Sequence, residues 1–185
     1  SSKGKSKSVK LAVISTALLA VAGGAQAAEV VHKAEGNGSL SISTADKSTD
    51  PVRAFAYANN GIAIGNGAKS GKEDARGYNH IAIGFNADAS NTSAASATAI
   101  GANSTATGQG STTIGNASSA TGADTVAVGN SATATANGSI AVGNKSVSSG
   151  FNSTAVGDGS KATSNFTTSL GSKSSAEGWS ATTVG

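Results

Sequence analysis

A branched aliphatic residue followed by Gly recurs along this chain at a fixed interval. The closing glycines are Gly65, Gly84, Gly101, Gly115, Gly129, Gly143, Gly157, Gly171 and Gly185, and from Gly115 onward each stands fourteen positions after the last. The first two gaps are longer, one interval plus an insertion in each case. A strict period means one structural unit repeated along an axis. Disorder would place no demand on register, so the repeat excludes a merely flexible Ser/Gly/Ala-rich chain.

The columns of the repeat identify the unit. Immediately before the glycines stand Ile64, Ile83, Ile100, Ile114, Val128, Val142, Val156, Leu170 and Val184. One position earlier the residue is small or Thr, as at Ala63, Ala82, Thr113, Ala127 and Ala141. Three before the glycine it is β-branched, as at Ile62, Ile81, Thr98, Val126 and Ile140. Period-two alternation of β-branched residues predicts a strand, and Gly with β-branched residues argues against a helix. Beyond the glycine, small residues at Ala68, Ser104, Ala106, Ser118 and Ala120 predict a second short strand, with Gly and Asn in the turns.

Each repeat therefore predicts one coil of two strands and two turns, stacked in parallel on the next. The fold class expected is all-β, a parallel β-solenoid over residues 61–185. The nine aliphatics from Ile64 to Val184 are expected to fill its interior against Ala and Ser of the second strand. The Ala column would then face outward, small enough for a neighbouring chain to approach closely.

The segments "GSIAVG" (138–143), "DTVAVG" (124–129), "NSTAVG" (152–157) and "NHIAIG" (79–84) resemble the head repeat of trimeric autotransporter adhesins of the YadA type. The resemblance covers about residues 61–185. It implies a left-handed β-roll, a homotrimer, and type V secretion to the outer membrane and cell surface of a Gram-negative bacterium. It also implies attachment, as a virulence factor, to a host matrix protein of collagen-like or fibronectin-like kind, to host cells or to other bacteria. The Asn-Ser pair of the motif survives in full only at Asn152 and Ser153, and Thr replaces Val at 98, 112, 154, 168 and 182. These departures bear on collagen as a ligand rather than on the roll. The family's coiled-coil stalk and membrane barrel do not occur within residues 1–185, so membrane anchoring is expected only through a further C-terminal region.

Residues 1–27 read as a signal peptide. Lys3, Lys5, Lys7 and Lys10 precede the apolar run "LAVISTALLAVAG", and "AQA" supplies a small-residue cleavage site. The formal charge of +3 belongs to this leader: of 13 Lys plus Arg, four lie before residue 11, leaving nine against ten acidic residues. A near-neutral body with 4% aromatics lacks the basic stripe that nucleic-acid binding requires. There is no Cys, and His32 and His80 are far apart, so no disulfide, metal site, cofactor or enzyme activity is predicted.

Residues 28–60 are expected to form an N-terminal cap and lead-in strand. "SLSIS" (39–43) alternates as a strand, and "RAFAYA" (53–58) reads as a half-coil with Phe55 and Tyr57 pointing away from the interior. The longer of the two insertions falls in "SGKEDARGYNH" (70–80). Insertions leave a solenoid as loops, and loops carry contacts. Lys72, Glu73, Asp74, Arg76, Tyr78 and His80 are therefore the candidate ligand-contact loop. Two other readings stay open on the residues alone. One is a non-adhesive spacer or fibre. The other is a secreted ice-binding solenoid using the Thr column, which Val126 and Ile140 interrupt.

Overall fold

The computed structural model describes residues 35–43, 53–73, 77–90 and 96–185. The expected leader, residues 1–27, lies outside the described residues, as do Asp74, Arg76 and much of the expected cap. Among the described residues two parallel sheets face each other. One has ten short strands running from Leu40–Ile42 to Thr182–Val184, each three residues long. The other has nine still shorter strands running from Phe55–Ala56 to Ser175–Ala176, each a residue pair. The chain crosses between the sheets twice per coil.

Stacking places like on like. Val126 pairs with Ile140, Ala127 with Ala141 and Val128 with Val142. The insertions do not disturb this register: Ile62 still meets Ile81, and Ile81 still meets Thr98. The extra residues fall between strands, after Lys69–Ser70 in one case and after Asp88–Ala89 in the other. Leu40–Ile42 extends the larger sheet through Leu40↔Ile62 and Ile42↔Ile64.

The interior differs from the sequence expectation in which face points inward. The buried residues are the alanines, including Ala63, Ala82, Ala99, Ala127, Ala141 and Ala155 from the larger sheet and Ala89, Ala106, Ala120, Ala134 and Ala162 from the smaller. The expected core residues Ile64, Ile83, Ile100, Val128, Val142 and Val156 are half-buried on the outer face, while Ile114, Leu170 and Val184 are exposed. In a strand this short the middle side chain takes one face and its neighbours the other. Opposite that middle residue stands a residue pair with a single inward side chain. A coil that short closes around methyl groups and has no room for nine Ile, Val and Leu side chains. The Thr column shares the outer face with the aliphatics, because residues one and three before the glycine have the same parity.

Serine completes the interior. Ser104, Ser118, Ser146, Ser160 and Ser174 each donate a hydroxyl to the closing glycine carbonyl three residues back, at 2.8–3.0 Å. At the opposite turn Ser111, Thr125 and Ser153 do the same to Gly108, Gly122 and Gly150 at 2.7–2.8 Å. A buried hydroxyl is costly only when unbonded, and here each one holds a turn. Among the described residues two buried hydroxyls are exceptions: Ser139 Oγ has no partner, and neither has Oγ1 of Thr113, which replaces Ala in the interior column. Thr113→Val keeps the volume and removes the orphaned hydroxyl, so it should raise unfolding stability by about 1 kcal/mol, read as a higher denaturant midpoint.

The closing glycines answer a backbone demand. Gly84 to Gly157 adopt φ between +131° and +138°, a region L side chains avoid. A Cβ on Gly84 would lie 2.6 Å from the Gly101 carbonyl oxygen of the next coil.

Candidate functional site

The roll presents three distinct surfaces. The first is the outer face of the larger sheet. Two rows of branched side chains run along it: the row from Ile64 to Val184, and a parallel row in which Ile62, Ile81, Val126 and Ile140 are mixed with Thr98, Thr112, Thr154, Thr168 and Thr182. At ~4.8 Å per strand this face is roughly 40 Å long. Ile114 is 44% exposed and Leu170 47%. A contiguous apolar strip of this length is far more than isolated surface hydrophobes would form.

The second surface is the outer face of the smaller sheet, which is polar. Lys69 stacks on Asp88 and Asp88 on Thr105. With Gly67, Asn86 and Asn103 they line a shallow groove of about 360 Å³. Beside it, Phe55 and Tyr57 stack with ring centroids 5.6 Å apart, and the Arg53 guanidinium lies 4.9 Å from the Phe55 ring. Their neighbours Ala54, Ala56 and Ala58 point into the roll.

The third surface is an aromatic edge at the turns leading into the larger sheet. Phe151 and Phe166 meet edge to face at 5.5 Å, and Phe166 and Trp179 at 5.2 Å. All three are exposed, Trp179 the most at 70%. The Phe151 amide donates to Asn165 Oδ1 at 2.9 Å, which holds one turn on the next. Sequence reasoning missed this cluster. A signal existed: Phe151 and Trp179 stand two full repeat lengths apart, with Phe166 one position out of phase between them.

The insertion loop divides. Lys72, Glu73 and Tyr78 are exposed, whereas Asp74 and Arg76 lie outside the described residues. His80 does not join them at the surface: its side chain is wholly buried. Counted back from Gly84 it occupies an inward-facing position of the coil, so it cannot be a surface contact as expected from the loop. A ladder of amides crosses this turn and others, with Asn60 Nδ2 donating to Asn79 Oδ1 at 3.4 Å, Asn130 Nδ2 to Asn116 Oδ1 at 3.3 Å and Asn144 Nδ2 to Asp158 Oδ1 at 2.7 Å.

These surfaces are extended and repeat from coil to coil. The family model of the YadA head domain repeat (2 copies) matches residues 93–118, 120–146 and 148–178. The comparison with curated proteins returns no match. Among solved structures, the collagen-binding domain of the Yersinia adhesin YadA is similar, at 29% identity and a TM-score of 0.62, over 74% of this chain and 72% of that one. The matched repeats between residues 93 and 178, the two stacked parallel sheets and this likeness all support a YadA-like head domain.

Proposed function

We propose that this chain is the head of a surface adhesin of a Gram-negative bacterium, exported through the leader at residues 1–27. It works as a homotrimer whose three rolls meet through the apolar outer face of the larger sheet. The observation that carries this reading is that face itself: a roll filled with Ala has placed its large aliphatics outside. Fully burying an Ile contributes ~1.5–3 kcal/mol, so a repeated row of partly exposed Ile and Val offers a large association energy. Burial against two sister chains also offsets the small interior area of one thin roll.

The ligand class is a host matrix protein such as collagen, by analogy with the Yersinia domain. The contact surfaces left free by such a trimer are the polar face of the smaller sheet and the exposed Lys72, Glu73 and Tyr78. Each occurs three times per assembly, so weak single contacts gain strength by avidity.

Light scattering on the purified chain should give three times its 17.6 kDa mass. Cells displaying the head should adhere to collagen-coated surfaces and not to albumin-coated ones. A monomer at micromolar concentration would remove the assembly reading. Adhesion to fibronectin alone would change the ligand, and no adhesion to any matrix protein would favour a spacer.

A further inference from the structure

His80 occupies the fourth position before the closing glycine, Gly84. In later coils that position holds Ala97, Ser111, Thr125, Ser139, Ser153 and Thr167, all buried. The hydroxyls of Ser111, Thr125 and Ser153 hold the carbonyl of the Gly three residues back. Three residues before His80 stands Gly77, so His80 takes the place of that hydroxyl with an imidazole. The ring packs over Gly77 so closely that a Cβ there would run into Nε2. Neither Nδ1 nor Nε2 has a hydrogen-bond partner. The bonds that hold this residue go to its main chain: Ser70 Oγ at 3.0 Å and the Ile62 amide at 2.8 Å donate to the His80 carbonyl.

Nothing ionisable among the described residues balances a charge on this ring. The buried positions of the surrounding layers are Ala58, Gly61, Ser70, Ala89 and Ala97. Lys69 and Asp88 stand on the opposite side of their strands from Ser70 and Ala89, and Lys72 and Glu73 are exposed. A charged imidazole without a partner is expensive in such a place. Burial alone lowers the pKa of this group from its ordinary 6.5.

We propose that His80 is an acid-sensitive latch: the neutral ring packed on Gly77 closes the coil over residues 77–84, and proton uptake opens that segment while the later coils stay stacked. The opened segment binds the proton with the ordinary affinity and the closed one more weakly. The closed form therefore has its full stability above about pH 6.5 and loses it as pH falls from there toward the lowered value of the buried ring. Opening here rearranges the already exposed Tyr78, which lies between Gly77 and His80. The latch does not depend on trimer formation, since its parts belong to one chain.

Amide hydrogen exchange on the full chain, corrected for the intrinsic chemical rate, tests this. Across 77–84 the open fraction should rise by up to about tenfold for each pH unit below the ordinary His pKa, while 125–143 stays flat. His80→Ser, which restores the residue found at 111, 139 and 153, should abolish the pH dependence. Protection of 77–84 that ignores pH in the unaltered chain would overturn the proposal, as would the same dependence in His80→Ser. Should that variant fail to fold, the imidazole resonances of the unaltered chain decide. A ring that stays neutral until the segment opens supports the latch. A ring that titrates normally within a closed coil overturns it.

Discussion

Gly129→Ala should destabilise the roll by about 3–5 kcal/mol, combining a backbone forced into a region hostile to L residues with a clash between coils. Gly129 has φ +134°, and a Cβ built on it runs into the carbonyl oxygen of Gly143 on the next coil. Relief requires the coils to separate. Separation threatens the bonds that join them, Gly143 N to Val128 O and Lys145 N to Asn130 O, both 2.8 Å. The clashing atom is backbone rather than the free end of a side chain, so no rotamer change absorbs it. For a domain of this size each kcal/mol shifts the midpoint by ~2–4 °C, so the variant should melt roughly 10 °C lower. Stacked coils contact mainly their neighbours, so the damage should localise and let the parts before and after 129 melt separately. Asn130→Ala is the control: it removes two exposed side-chain bonds, to Asn116 Oδ1 at 3.3 Å and from Ser131 Oγ at 3.2 Å, and should cost about 1 kcal/mol at most. Equal melting of both variants would mean that the glycine column reflects composition and not a backbone requirement.

The period, the strand-forming composition and the turn glycines were legible because each is a demand repeated coil after coil. The direction of the faces was not. Alternation says that Ala141 and Val142 point to opposite sides; it does not say which side is the inside. In most domains the larger residue is inside, and that expectation led to the nine aliphatics from Ile64 to Val184. What decides the matter is the width of the coil, set by the very short strand opposite, and width is a tertiary quantity. His80 misled for a related reason. Read forward from Gly65 it belongs to a charged insertion; read backward from Gly84 it falls in the buried Ser/Thr position. The insertion shifts the count on one side only. The aromatic edge escaped because Phe151, Phe166 and Trp179 neither share one column nor resemble their counterparts in earlier coils. Ligand contacts are illegible in principle here. Outer polar positions such as Thr105, Ser119 and Thr133 bear no packing demand that would constrain their identity.

Ala141→Leu and Val142→Asp, at adjacent positions, should fail in opposite ways. Ala141 is wholly buried between sheets whose other inward groups are Ala and Ser. The added heavy atoms have no void to enter, and overpacking of this kind costs ~1–3 kcal/mol, with the upper end expected where both neighbouring coils carry the same small residue. In Ala127↔Ala141↔Ala155 they do. Ala141→Leu should therefore lower the melting temperature of the chain whatever its state of association. Val142 lies on the outer face, paired with Val128 and Val156. Aspartate there meets solvent in a single roll and should change its intrinsic stability by under ~1 kcal/mol. In the proposed trimer the same change brings three carboxylates into one dry, apolar seam. Each would be desolvated without a partner, a cost of several kcal/mol per charge, enough to drive the assembly to monomers at micromolar concentration. Light scattering separates the two variants: mass falls threefold for Val142→Asp, and Ala141→Leu loses stability first. A trimer that survives Val142→Asp would move the subunit interface to another surface of the roll.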